Sequence, residues 1–389
     1  MPSRAGAVVR LLTLEDVTPA VEAAWRDLAQ RVAEPNPCNE PDMLLPAMRL
    51  LPGGRWVRLL VVSDGDRLDA LLPVLVLRRW RSRVPVPALV SWTHDFQVLG
   101  TPLVDAERAV PTLAALLQAS WRARQGAVLL EIEDLGDGGP VAAALDEAAV
   151  SLGIRVRRRD RYERAVLARS EEGGLVGDDV RERRRRARRG LERKAGPVTS
   201  VDRSADPAAV DLFLDMESSG WKGEGGTAIA CDPATTAFFR EVCARFGAAG
   251  RLEFRSLDVP AGPVAMEMAV HAGGGAFHLK TAHDERYRAH TPGILAMVDH
   301  ADRFADESVV FRDVCTGGPT EMEGRVWPGR RTIATVVAPL ASPVSRGLMV
   351  ALGSAHALSS REPEPARRTV GDVERGEARG VPPQRRPAG

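Results

Sequence analysis

From Ala276 to Arg303 the chain reads AFHLKTAHDERYRAHTPGILAMVDHADR: a short strand, a charged loop, then a helix opening on Thr291-Pro292-Gly293. A strand that feeds a helix in this way belongs to an α/β architecture. Thr291 suits the N-cap, Pro292 the first helical position, and Gly293 lets another group come close to the backbone. Such a start presents unpaired N–H groups and a positive dipole end, which together favour an anion. Arg286, Arg288 and His290 in the preceding loop give the ligand the same sign. The spacing therefore predicts a phosphate-bearing cofactor here, against the alternative of a well-capped surface helix.

Elsewhere strand and helix patterns alternate twice. Helical spacing runs over Val17–Val32, Pro41–Leu51, Pro102–Gln125 and Val141–Leu152. Val57–Val62 and Ala70–Leu77 read as buried strands around the turn Asp64-Gly65-Asp66, and further strands are expected at Ala127–Ile132 and from Ile154. The second series has helices at Ala208–Ser219 and Pro233–Phe246. Its strands are expected at Arg251–Leu257, Val264–His271, from Ala276, and at Val309–Val314. The expected organisation is a first domain over 1–165, a basic linker or helix over 166–200, a second domain over 201–341 and a mostly disordered tail over 342–389. The tail holds almost no large apolar side chains beyond residue 360. Val344–Leu358 is read as a short docked helix.

At 389 residues, with 44% hydrophobic and 27% charged residues, the composition is that of a soluble globular chain with room for two cores. The formal net charge of +1 argues against a global field for nucleic acid or membrane. No run approaches the ~20 apolar residues of a spanning helix. The N-terminus has no signal-like apolar block before Glu15 and Asp16. Cys38, Cys231, Cys243 and Cys315 show no CxxC spacing, and no HExxH occurs, so a disulfide framework and a metal site are not expected; a reducing cytoplasm is. Residues 181–194, RERRRRARRGLERK, hold nine basic residues against two acids. They read either as a phosphate-contacting face, for a nucleotide cofactor or an RNA acceptor stem, or as a solvated helix between the domains. The lack of interleaved aromatics weighs against RNA.

Three stretches resemble a known family. One is the arginine-rich segment followed by Gly196. The second is Gly220-Trp221-Lys222-Gly223 with Gly226-Thr227-Ala228 and Phe238-Phe239. The third is Leu279-Lys280-Thr281-Ala282-His283-Asp284 with Tyr287 and Thr291-Pro292-Gly293. Over about residues 180–330 the chain resembles the GNAT-like acyltransferases of the CelD type, a branch near the Fem-type aminoacyl transferases. Glu34-Pro35-Asn36-Pro37 and Leu71-Leu72-Pro73-Val74 look like the first domain of that family. Cys38 stands where the family usually has Phe, and His283 where Tyr often precedes the aspartate. The usual GNAT cofactor loop, Q/R-x-x-G-x-G/A, is absent. The resemblance implies tandem GNAT-like domains, each a mixed β-sheet flanked by helices, and transfer of an acyl or aminoacyl group to an amine or hydroxyl.

Such chemistry needs a held donor, a base for the nucleophile and donors facing the oxyanion. Gly293 and Ile294, with Thr291, Arg286 and Arg288, are expected to hold the phosphates of acetyl-CoA or another acyl-CoA. Trp221 and Lys222 are expected to wall the cleft. Asp284 and Glu267 are the candidate bases. Glu267 stands in an apolar strand, where burial raises a carboxyl pKa unless an ion pair, for instance with Lys280, accounts for it. Lys280 is a candidate oxyanion or phosphate partner, and Tyr287 a candidate proton donor to the leaving thiolate. No GxSxG or Ser–His–Asp order is present. The sequence thus reads as an acyl-CoA-dependent N- or O-acyltransferase with a small-molecule or saccharide acceptor. The alternatives are an aminoacyl-tRNA-dependent transferase, binding RNA through Arg183–Arg189, and a non-catalytic binding module.

Overall fold

The structure, a computed structural model, describes residues 7–81, 85–119, 122–168, 178–304, 307–316, 324 and 326–340, with the backbone alone at 178–180, Trp221 and Glu224. The expected tail and the helix Val344–Leu358 lie outside the described residues.

In chain order the first half runs β1 (Val8–Leu12), α1 (Pro19–Gln30), α2 (Pro41–Leu50), β2 (Arg58–Asp64), β3 (Arg67–Leu77), β4 (Ala88–Ser91), β5 (Leu103–Val104), α3 (Ala109–Leu117), β6 (Leu129–Gly136), α4 (Pro140–Ser151) and β7 (Arg157–Ala168). The second half runs α5 (Asp178–Ala195), β8 (Thr199–Asp202), α6 (Ala209–Ser218), α7 (Trp221–Glu224), α8 (Pro233–Ala248), β9 (Leu252–Val259), β10 (Gly262–Ala272), β11 (Gly275–His283), α9 (Pro292–Arg303), β12 (Phe311–Asp313) and β13 (Gly329–Pro339).

Local chemistry sets most of these boundaries. Thr18 caps α1 by accepting from the Val21 N–H, with Pro19 at the first helical position. Asp232 and Pro233 repeat the device at α8. Between β2 and β3 the turn needs a left-handed residue, and Gly65 takes φ +63° without steric cost.

The described strands form one mixed sheet in the order β1-β2-β3-β4-β6-β13-β7-β12-β11-β10-β9-β8, with β5 beside β3. Only β4 with β6 and β11 with β12 run parallel. Each parallel pair is joined by a crossover through a helix, α3 in the first half and α9 in the second. The halves share a plan, and they also share a sheet. β13, which sequence reading missed, inserts between β6 and β7: Ile333 lies opposite Gly136 on one side and Tyr162 on the other. β7 in turn pairs with β12. At this junction the buried Asp313 carboxylate accepts from Arg164 at 2.8 Å and Arg331 at 2.9 Å, and Arg331 also holds Glu34. One aromatic core, including Trp25, Phe213, Phe238, Phe239, Phe254 and Phe277, draws on both halves.

Two expectations change. The stretch Pro102–Gln125 is helical only over α3, because Leu103 and Val104 pair with Leu71 and Ala70 of β3, and strand pairing outweighs helical spacing there. The arginine run does form a helix, α5, but not one solvated all round. Leu191 and Arg184 are buried, and Arg184 donates to the Ile294 carbonyl at 3.4 Å. Gly190 lets α5 meet His290, since a Cβ there would stand 2.9 Å from its Nδ1.

Candidate functional site

β11 and β12 pair only from Gly275 to Phe277, opposite Phe311 to Asp313. β11 then continues to His283, and the chain after Asp313 leaves the sheet. On its other side β11 carries a bulge: Met268 of β10 faces Lys280 and Ala269 faces His278, so Leu279 is the extra residue of β11. Here lies a cavity of about 620 Å³, lined by His278–Thr281, by Thr291–Ile294 at the start of α9, by Val314–Thr316, and by Glu267 and Trp327 among others. A crevice past the carboxyl ends of parallel strands is where open α/β sheets bind ligands.

The α9 end of the cavity suits an anion. Thr291 occupies the N-cap position, but its side chain makes no capping bond, contrary to the sequence reading; its backbone is left-handed at φ +46°. For a β-branched residue that conformation is strained, and strain of this kind gathers at ligand clamps. Helix geometry leaves the Gly293 and Ile294 amides without intrahelical acceptors. A Cβ on Gly293 would meet nothing nearer than Thr281 Cγ2 at 3.7 Å, so the approach to this backbone is open. Arg288 lines the same cavity.

Other predicted residues fall elsewhere. Asp284 caps the 3-10 helix Glu285–His290 by accepting from the Arg286 N–H, and it also pairs with the Arg286 guanidinium at 2.6 Å. That hydrogen bonding holds its carboxyl below the usual range. Neither residue lines the cavity, so Asp284 is not placed to act as a base there nor Arg286 to bind phosphate. Tyr287 is not part of the cavity lining either: it packs against the cluster of Leu191, Val264 and Leu295, with Lys194 Nζ 5.1 Å from its ring centroid. Lys222 lines the cavity while paired with the buried Glu217 at 2.9 Å. The Trp221 side chain lies outside the described residues. Lys280 lines the cavity with its Nζ 4.3 Å from the centroid of Phe96, a first-half residue.

Glu267 lines the cavity while only 3% exposed. Register sets it opposite Thr281, and Lys280 opposite Met268, so the two charges do not face each other across the strands. Its neighbour is His300 of α9, with Nε2 2.6 Å from Oε2. Burial pushes the Glu267 carboxyl up to about 7. Burial also pushes His278 and His300 down to about 3, which keeps both imidazoles neutral. Arg312 Nη1 faces His278 Nε2 at 3.0 Å, and Arg312 is itself held by Glu253 and Glu307. Sequence reading missed His278, His300 and Arg312. His278 was open to discovery by counting back across the β10–β11 hairpin, though the bulge at Leu279 displaces that count by one. Cys315 lines the cavity as well, but burial raises its thiol well above the ordinary range, which disfavours a thiolate nucleophile.

Residues 178–321, which contain nearly the whole cavity wall, match the family model described as an acetyltransferase (GNAT) domain. Among solved structures the chain is similar to FemX, with a TM-score of 0.56 at 10% identity over 86% of this chain and 98% of that one. It is also similar to the C-terminal domain of a putative lysylphosphatidylglycerol synthetase from Agrobacterium fabrum (0.51, 12%, 89% and 99%). A third is a conserved protein of unknown function from Bacteroides thetaiotaomicron (0.52, 13%, 84% and 98%). At these identities the likeness is one of fold. No curated protein matches the chain.

Proposed function

Starting from a GNAT-like chain, with its acetyltransferase domain at residues 178–321, we propose that it transfers an acyl group, acetyl in the simplest case, from acyl-CoA to an amine or hydroxyl. The observation that carries this reading is the uncapped start of α9 opening onto the cavity beside Arg288. In it, the Gly293 and Ile294 amides and the Arg288 guanidinium take the pyrophosphate of the donor, and Lys222 adds positive charge along the same wall. Lys280 faces the oxygen of the tetrahedral intermediate. Glu267, half ionised near neutrality, is the base.

The acceptor's nitrogen or oxygen attacks the thioester carbon as Glu267 takes its proton. The carbon–sulfur bond then breaks, and the departing thiolate recovers a proton from Glu267. This return leaves no task for Tyr287. The acceptor is a small molecule or saccharide. The free cysteines suit a reducing compartment, and the reading places the enzyme in the cytoplasm.

A second reading takes the acyl group from aminoacyl-tRNA. The fold shared with FemX and the exposed Arg183, Arg185, Arg186 and Arg189 of α5 favour it. Calorimetric titration with CoA, acetyl-CoA and an aminoacyl-tRNA separates the two. Saturable CoA binding is expected. RNA binding that fades linearly with log salt, with no response to CoA, would replace the first reading by the second. Silence toward all three ligands would leave a binding module.

A further inference from the structure

Glu267, His278 and His300 bring one candidate ligand atom each within 4.8 Å of one another, all three side chains buried, and two imidazoles with a carboxylate have the composition of a transition-metal site. Arg312 decides against that use. Its guanidinium has only donors, so at 3.0 Å it requires a lone pair on His278 Nε2. A neutral imidazole has one such lone pair. The proton of His278 is therefore on Nδ1, and no lone pair remains there for a metal.

What remains is a set of groups arranged around one carboxyl. Among the described residues Glu267 Oε2, His278 Nδ1 and His300 Nδ1 are buried without a hydrogen-bond partner. His300 Nε2 is close to Glu267 Oε2, at 2.6 Å, but out of line for a hydrogen bond. The rings of His278 and His300 meet edge to face at 4.7 Å. Glu267 and His278 of this cluster also line the cavity, so the carboxyl and its histidine neighbour stand where an acceptor would enter. His300 also rides on α9, whose first turn borders the same cavity.

We infer that His278 and His300 are the positioning residues of Glu267: two neutral imidazoles, the first locked as its Nδ1–H tautomer by Arg312, that orient the carboxyl and govern its proton. The inference rests on Glu267 being the base. The charged and titratable groups facing Glu267 are His278 on β11, His300 and Asp299 on α9, Arg312 on β12 and Glu253 on β9. Those facing His300 are Arg312, Glu253, Arg303 and Glu307. The paired Glu253 and Arg312 balance each other, which leaves the imidazole N–H groups as the adjustable support of the carboxylate.

The test is nuclear magnetic resonance on the full chain, with ¹⁵N-labelled histidine to read tautomers and ¹³C-labelled glutamate to titrate Glu267. His278 is expected to show a protonated Nδ1 and an unprotonated Nε2, unchanged from pH 8 to pH 5. In His300→Phe the Glu267 midpoint is expected to rise by about one pH unit, because an apolar ring replaces the polar imidazole 2.6 Å from the carboxylate, and His300→Gln should restore most of it. A His278 proton on Nε2, or stoichiometric displacement of both histidine signals by Zn²⁺ alone, would overturn the inference. So would a Glu267 midpoint near 7 that neither variant moves, which leaves the base itself standing. A parent midpoint in the ordinary carboxylate range instead removes Glu267 as the base, and with it the ground of the inference.

Discussion

The two strand–helix–strand crossovers, β4–α3–β6 and β11–α9–β12, share one topology and differ at the start of the helix. Before α3 the chain reads Asp105-Ala106-Glu107-Arg108; before α9 it reads Arg288-Ala289-His290-Thr291. Asp105 is buried, pairs with Arg31 and Arg67, and accepts from the Glu107 N–H. The first half thus supplies its own anion beside the helix start. In the second half the four residues before the helix and its first turn hold no acidic residue, a glycine lies in that turn, and a cavity opens in front of it. One plan serves as a closed structural unit in the first half and, in the proposed function, as a binding site in the second, and the sign of two or three residues separates the uses.

That contrast can be broken from either side. The largest expected effect is that of Glu267→Gln, which should lower acyl transfer by about 10²–10⁴-fold with donor affinity nearly unchanged, read by steady-state kinetics beside calorimetry. In the parent, transfer should climb with pH through a midpoint near 7 and level off above it, because the base must be ionised. Asp105→Asn should cost about 3 kcal/mol in denaturant unfolding and leave CoA affinity intact; a loss of CoA binding would deny that the two helix starts differ in role. Gly293→Glu should weaken CoA by on the order of 100-fold, since a carboxylate would compete for the same amides, while the melting temperature moves little. Arg288→Ala should cost about tenfold in CoA affinity, less at high salt. The smallest effect is on stability. The folded pKa of Glu267 lies above its ordinary value, so the stability it contributes is present in acid and lost as pH rises through about 7. Glu267→Gln should therefore melt slightly above the parent at pH 8, with the gap closing toward pH 5.

Much of this was legible where chemistry is local. The β2–β3 hairpin follows from its glycine turn, the start of α8 at Pro233 matches the reading, and α9 begins at Pro292 as Thr291-Pro292-Gly293 suggests, while α1 begins two residues later than the helical spacing from Val17. Legibility failed where geometry intervened. Asp284, Arg286 and Tyr287 sit in the right loop, but Asp284 and Arg286 pair with each other and Tyr287 packs against the cluster of Leu191 and Leu295, contacts that sequence spacing does not reveal. Of the partners of Glu267, His278 follows from the hairpin count only once the bulge is known, and His300 arrives from a helix, with no spacing signal to mark it. β13 escaped because its meaning lies in strands far earlier in the chain, and an apolar run does not announce so distant a partner.

The insertion of β13 also has a consequence for synthesis. Strands β6 and β7 leave the ribosome long before residues 329–339 exist, so the first half cannot complete its sheet when its own residues are finished. At about 5–20 residues per second, their facing edges wait on the order of ten seconds or more for the strand that separates them. During that interval the nascent chain carries two sticky sheet edges, and it becomes one molecule only when its last described strand slides between them.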